Sequence, residues 1–162
     1  MMRTAASFID TPPPVTAWAL GCGLGKSKES RLFLTILLTQ AKESTLPRVL
    51  DADALNLIAE LPNPPKLGAC TVLTPHPGEA ARLLDTTVEA IQADREGAVY
   101  ALCQRFEATV VLKGHHTLVV TQGEKEIYRN PTGNAALATA GTGDVLTGVI
   151  GSLMAQGFTP LA

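Results

Sequence analysis

An excess of charge of either sign is missing from this chain. Thirteen Lys and Arg stand against fifteen Asp and Glu, a formal charge of −2 over 162 residues. That balance argues against nucleic acid or an anionic membrane surface as a partner. Cysteine is scarce too. Cys22, Cys70 and Cys103 lie far apart, with no CxxC pair and no His cluster beside them. Reduced, partly buried thiols in a cytoplasmic protein are the expectation. No stretch nears the roughly 18 apolar residues of a membrane span. The stretch Met1 to Pro14 carries one Arg and no continuous apolar core, so it does not read as a signal peptide. No internal repeat or low-complexity segment is evident.

What is present is an apolar share of 46% against 17% charged residues, the balance of a packed globular protein. The length suits one domain with a sizeable core. Short apolar runs alternate with helical patterns. Val15 to Leu20 reads as a strand that ends in the glycine loop Gly21-Cys22-Gly23-Leu24-Gly25. Leu34, Leu37, Leu38 and Ala41 give Ser27 to Ala41 a helical period. Arg48 to Asp51 reads as a strand with a short helix from Asp53, and Ala69 to Thr74 as another strand. Thr86 and Glu89 have capping-box spacing before a helical region that reaches Phe106. Thr109 to Leu112 is a β-branched strand. Leu118 to Val120 and Glu126 to Tyr128 form a hairpin, and a helix runs from Asp144 to about Gln156. Strands apolar on both faces, alternating with helices, predict an α/β fold with a mainly parallel sheet covered by helices on both faces. In such sheets ligands gather at the carboxyl ends of the strands, and every unusual motif of this sequence falls at one.

The strongest of these motifs runs from Asn130 to Asp144. Its small residues let the backbone approach a ligand, and a helix starting near Asp144 aims free N–H groups into the loop, an arrangement suited to phosphate. A carboxylate beside an anion site has a purpose if it takes a proton from a hydroxyl. The simpler reading is that Asp144 caps the helix. Lys113, after a buried strand, either reaches phosphate oxygens as a point charge or is a surface lysine before a turn. His115 and His116 on an extended segment point in opposite directions, which argues against a shared metal. Thr74-Pro75-His76-Pro77-Gly78-Glu79 is a stiff loop offering an imidazole and a carboxylate to a ligand, although Glu79 also suits the helix dipole. GCGLG fails the GxGxxG spacing. Asp51 and Asp53 are placed to hold Mg²⁺ through water or, more simply, to cap the following helix.

Together, GCGLG, DADAL, LTPHPGEAARLL, VVLKGHHT and NPTGNAALATAGTGDVLTG, in this order, resemble the NAD(P)H-hydrate dehydratase family of the ribokinase-like superfamily, whose bacterial members use ADP. The resemblance spans about Trp18 to Gly157. It implies a ribokinase-like fold and a repair reaction in which water is removed from hydrated NADH or NADPH (NAD(P)HX). The terminal phosphoryl group of ADP, or of ATP, with Mg²⁺ on the phosphates, activates the departing hydroxyl. By the same resemblance Asp144 is the base and contacts the substrate, while the backbone of Gly141, Thr142 and Gly143 stabilises the transferring charge. Gly23 and the run His76, Pro77, Gly78, Glu79, Ala80, Ala81 and Arg82 match positions that contact the hydrated dinucleotide. The nucleotide-binding segments are matched by Lys113, Gly114, His115, His116 and Thr117, and by Asn134, Ala135, Ala136, Leu137, Ala138, Thr139, Ala140, Gly141, Thr142 and Gly143. Relatives form tetramers or larger assemblies, so a homo-oligomer is expected.

Two departures stand out. The loop holds Asn134-Ala135-Ala136-Leu137 and Ala138-Thr139-Ala140-Gly141 where the family more often has Pro, Gly and Met, and a glycine pair before the Thr. Ala140 would be strained if that position required φ > 0. Relative to the family, the domain lacks a first βαβ section before Trp18 and one or two helices after Ala162. Two other functions are compatible with these motifs: a ribokinase-like kinase for a sugar or vitamin precursor, and a fragment that binds nucleotide without turnover.

Overall fold

The computed structural model describes residues 14–40 and 45–160. The stretch Met1 to Pro14, all but its last residue, and Ala41 at the end of the first expected helix lie outside the described residues. Among them the chain runs β1 (Trp18–Leu20), α1 (Lys28–Gln40), β2 (Arg48–Leu50), α2 (Ala52–Ala59), β3 (Thr71–Leu73), α3 (Pro77–Leu84), α4 (Val88–Ala93), α5 (Arg95–Phe106) and β4 (Thr109–Leu112). It continues as β5 (Leu118–Val120), β6 (Tyr128–Arg129), a 3₁₀ turn (Ala135–Leu137) and α6 (Thr142–Ala155). One six-stranded sheet follows chain order, β1-β2-β3-β4-β5-β6. The first four strands are parallel, and β5 and β6 add antiparallel. The sheet is therefore mixed but mainly parallel, as the alternation predicts.

The two faces of the sheet are covered unequally. Leu50, Leu73, Val110 and Leu112 point toward the side where Leu34 and Leu38 of α1, Leu55 and Ile58 of α2, Leu83 of α3, Ile91 of α4 and Phe106 of α5 close a continuous apolar core. On the other side Val49 and Val72 meet Met154 of α6, with Val111 and Ile150 beside them. Gly151 lets α6 lie close to the sheet, since a Cβ there would stand 3.3 Å from the Cβ of Ala19. The outward side of α6 keeps Val145, Val149 and Leu153 exposed.

Where the expectations shift, local chemistry supplies the reason. The helical region ending at Phe106 is two helices, because the Asp94 carboxylate caps a second start by accepting from the Gly97 N–H at 2.8 Å. Its first cap is Thr87 rather than Thr86, with the hydroxyl accepting from the Ala90 N–H. The second hairpin strand begins at Tyr128, two residues late, and pairs Val119 with Tyr128 and Leu118 with Arg129. His115 and His116 do not point apart. His116 has φ +53, so the segment turns instead of extending, and the two rings lie 3.9 Å apart. Ala140 is not among the residues with positive φ, which removes the expected strain.

Candidate active site

The carboxyl ends of the four parallel strands are laced together. The Asp51 N–H donates to the Leu20 carbonyl, the Thr74 N–H to Leu50 and the Lys113 N–H to Pro75. This brings the glycine loop, DADAL, TPHPGE and KGHHT to one edge, where ligand crevices form in parallel sheets.

Beyond β1 the chain must turn against DADAL. Gly21 has φ +122, and a Cβ there would stand 1.7 Å from the Asp51 carbonyl oxygen, so no other residue fits. The Gly25 N–H donates to Asp53 at 2.9 Å. Gly23 has φ +67 with open space around it.

Asp51 is 1% exposed and caps α2 through the Ala52 N–H at 2.8 Å. The same Oδ1 accepts from Lys113 Nζ at 2.8 Å, and Oδ2 accepts from Thr147 Oγ1 at 2.8 Å. Both oxygens are thus committed, and Asp53 is engaged by Gly25. The helix-capping reading of Asp51 holds, and its three accepted bonds leave that carboxylate little lone-pair capacity for a cation. Lys113 is 21% exposed, bound to Asp51, and 3.9 Å from Glu79 Oε2.

His76 caps α3 with Nδ1, which accepts from the N–H groups of Gly78 and Glu79, and Pro77 occupies the first helical turn. Glu79 returns a bond from its Oε2 to the His76 N–H at 2.8 Å, completing a capping box. The carboxylate is buried, so the half-exposed imidazole is what this loop offers outward. Ala80 and Ala81 turn into the core, while Arg82 donates to Asn56 at 2.8 Å. Gly114, His115 and His116 are exposed in the turn after β4, and the Thr117 hydroxyl donates to the Gly114 carbonyl. Arg95, from the start of α5, braces that turn by donating to the Leu112 carbonyl at 3.3 Å. Burial and the neighbouring Arg129 charge press the Arg95 guanidinium below its ordinary value.

The exposed Asn134–Ala140 segment makes its 3₁₀ turn behind Asn134, whose side chain accepts from the Ala136 N–H. Thr142 stitches it to α6 by donating to the carbonyls of Leu137 and Thr139. The N-cap of α6 is Gly141, at φ +89, not Asp144. The first intrahelical bond runs from the Val145 N–H to the Gly141 carbonyl, so the amides of Gly143 and Asp144 lie ahead of the ladder. Asp144 is exposed within the first turn, free of a capping duty. Its neighbour is Cys22. Cys22 is exposed rather than partly buried, yet partial desolvation by its neighbours pushes its thiol up, and Asp144 pushes it further by accepting its hydrogen bond and by its charge. A Cβ on Gly143 would stand 3.6 Å from both Asp51 Oδ2 and Lys113 Nζ, so the lysine lies under the helix start.

Sequence reasoning missed three residues here: Cys22, Arg95 and Thr147. Only Thr147 left a signal, since three residues after Asp144 it returns to the same side of α6.

A mainly parallel sheet with a glycine loop and an open helix start at its strand ends is the ribokinase-like arrangement. Accordingly, a ribokinase-like protein from Enterococcus faecalis V583 superposes with a TM-score of 0.70 at 29% identity, over 85% of this chain and 46% of that one. The chain belongs to the NAD(P)H-hydrate dehydratase family, whose model matches residues 2–162. It is 53% identical to the ADP-dependent (S)-NAD(P)H-hydrate dehydratase of Neisseria meningitidis, across 97% of this chain and 53% of that protein. The Bacillus subtilis ADP/ATP-dependent NAD(P)H-hydrate dehydratase, co-crystallised with ATP and Mg²⁺, matches with a TM-score of 0.76 at 31% identity, over 93% of this chain and 52% of that one. The chain spans about half the length of these relatives.

Proposed function

We propose that this chain dehydrates hydrated NAD(P)H back to NAD(P)H at the expense of ADP. The observation that carries the proposal is the position of Asp144: in the first turn of α6, ahead of the hydrogen-bond ladder, and released from capping by Gly141. Asp144 accepts the proton of the substrate hydroxyl as its oxygen attacks the terminal phosphorus. The bond to the bridging oxygen breaks and AMP leaves. The C–O bond of the new phosphate ester then breaks, phosphate leaves with the electron pair, and loss of a ring proton restores the reduced nicotinamide. The amides at Gly143 and Asp144 and the positive end of α6 stabilise the charge in transit. Gly23 and the half-exposed His76 border the dinucleotide, and the Lys113–Thr117 and Asn134–Gly143 segments border the nucleotide. ADP ranks ahead of ATP because the 53% identical relative from Neisseria meningitidis is ADP-dependent. With Asp51 already accepting from Ala52, Lys113 and Thr147, Mg²⁺ would be held mainly through the nucleotide phosphates and would neutralise part of their charge.

The same reading makes this chain a single ribokinase-like domain of a cytoplasmic enzyme and a homo-oligomer, with a tetramer as the expectation. The exposed Val145, Val149 and Leu153 offer a surface to bury.

The test is incubation with hydrated NADH and ADP–Mg²⁺ while NADH absorbance is followed. Recovery that needs ADP, and that falls about a hundredfold or more in Asp144→Asn while nucleotide affinity holds, supports the reading. Phosphorylation of a sugar or vitamin panel without NADH recovery replaces it with a kinase. Nucleotide binding without any chemistry removes the enzymatic reading altogether.

A further inference from the structure

A buried carboxylate that accepts from three separate parts of the chain has a geometric task. Asp51 receives the Ala52 N–H from its own helix, the Lys113 ammonium from the end of β4 and the Thr147 hydroxyl from α6, each at 2.8 Å. It is buried, and so is Thr147. Its main chain is pressed against Gly21, which joins the glycine loop to the same point. Lys113, though 21% exposed, is therefore held in place rather than free as a lysine before a turn would be. It is fixed under Gly143, one residue before Asp144.

We propose that Asp51 is a positioning residue of this site: it locks Lys113 and α6 to each other, so that a fixed positive charge lies beneath the turn carrying Asp144. The proposal rests on the dehydration reading for its kinetic part only. Lysine has a long stem with many rotamers, and a lysine that had to find a transferring phosphoryl group would lose that freedom during the reaction. Held at 2.8 Å by Asp51, it has lost the freedom on folding, and the geometry is set before substrate arrives. Its ammonium also offsets the charges of Asp51 and of Glu79, at 3.9 Å, which would otherwise repel the phosphates over the helix start. Lys113 thus acts from below, through its fixed place, and Asp51 acts through Lys113 and Thr147.

Two measurements test this, and the first needs no turnover. Lys113 acetylation by an N-hydroxysuccinimide ester, followed by peptide mass spectrometry, should be slow in the wild type. In Asp51→Asn, with melting checked to show a folded protein, it should rise about fivefold or more as the pair is lost. An unchanged labelling rate overturns the clamp. The second compares Thr147→Val, which keeps the shape and loses the hydroxyl, with Thr147→Ser, which keeps the hydroxyl. Thr147→Val should lower kcat roughly tenfold with the KM for ADP nearly constant, and Thr147→Ser should restore it. Equal losses in the two variants, or a loss confined to KM, would mean packing alone and overturn the positioning role. If the wild-type chain shows no dehydration at all, the functional reading falls, and the labelling comparison by itself decides whether Asp51 holds Lys113.

Discussion

The two faces of the sheet are built by different means. On the α1–α5 side, cohesion comes from apolar burial: Leu50, Leu73 and Leu112 disappear beneath Leu55, Ile58, Leu83 and Phe106. On the α6 side the buried apolar set shrinks to Val49, Val72 and Met154, and the upper end of the helix is joined to the sheet by the polar Asp51–Thr147 bond. The helix that carries Asp144 is thus joined to the sheet by a smaller apolar set and, at its upper end, by a directional bond. Apolar contact tolerates small slides, whereas a hydrogen bond fixes distance and angle. Under the proposed dehydration, in which Asp144 works beside a phosphoryl group, the second kind of joint suits the site.

The comparison can be broken at the point where both faces meet. Gly21→Ala should have the largest effect, a loss above about 4 kcal/mol or no folded protein, because its Cβ would overlap the Asp51 carbonyl. Soluble yield and urea unfolding would read it. Phe106→Ala, in the thick face, should cost about 3–5 kcal/mol in chemical denaturation. Met154→Ala, in the thin face, should fall nearer 2 kcal/mol. If the two cost the same, the contrast between the faces is wrong. Val149→Ser, on the exposed side of α6, should shift stability by no more than about 0.5 kcal/mol in this chain taken by itself.

A subtler measurement reads the polar joint. The Asp144 charge helps to raise the Cys22 thiol, so less thiolate is present at mildly alkaline pH than at an ordinary cysteine. Removing that charge in Asp144→Asn lets the thiol ionise at lower pH. Iodoacetamide should then alkylate Cys22 faster at the same pH. An unchanged rate would mean that the glycine loop and the start of α6 do not meet.

Much of the fold was legible because local patterns report local structure. Apolar runs ending in glycine or proline located the strands, and the unusual motifs did fall at strand ends. The helix break at Asp94 was missed because a cap inside a continuous helical period leaves only one polar residue as its sign. The histidine pair was misjudged because a single positive φ, at His116, reverses the alternation on which the reading depended. Within the site, the alternatives for Asp144 differ by one turn position, and no local pattern separates a helix cap from a first-turn carboxylate.

Periodicity and glycine placement were enough to establish an α/β fold with a helix start near Asp144, and the resemblance of the ordered motifs pointed to the family to which the chain belongs. Only the tertiary structure decided that Asp51 is a junction, that Lys113 is held rather than free, and that Glu79 turns inward to its own helix. Lys113 reaches Asp51 across 62 residues of chain and Thr147 across 96. Partners that distant are chosen by how strands and helices pack, and a carboxylate in a sequence carries no mark of which donor will come to it.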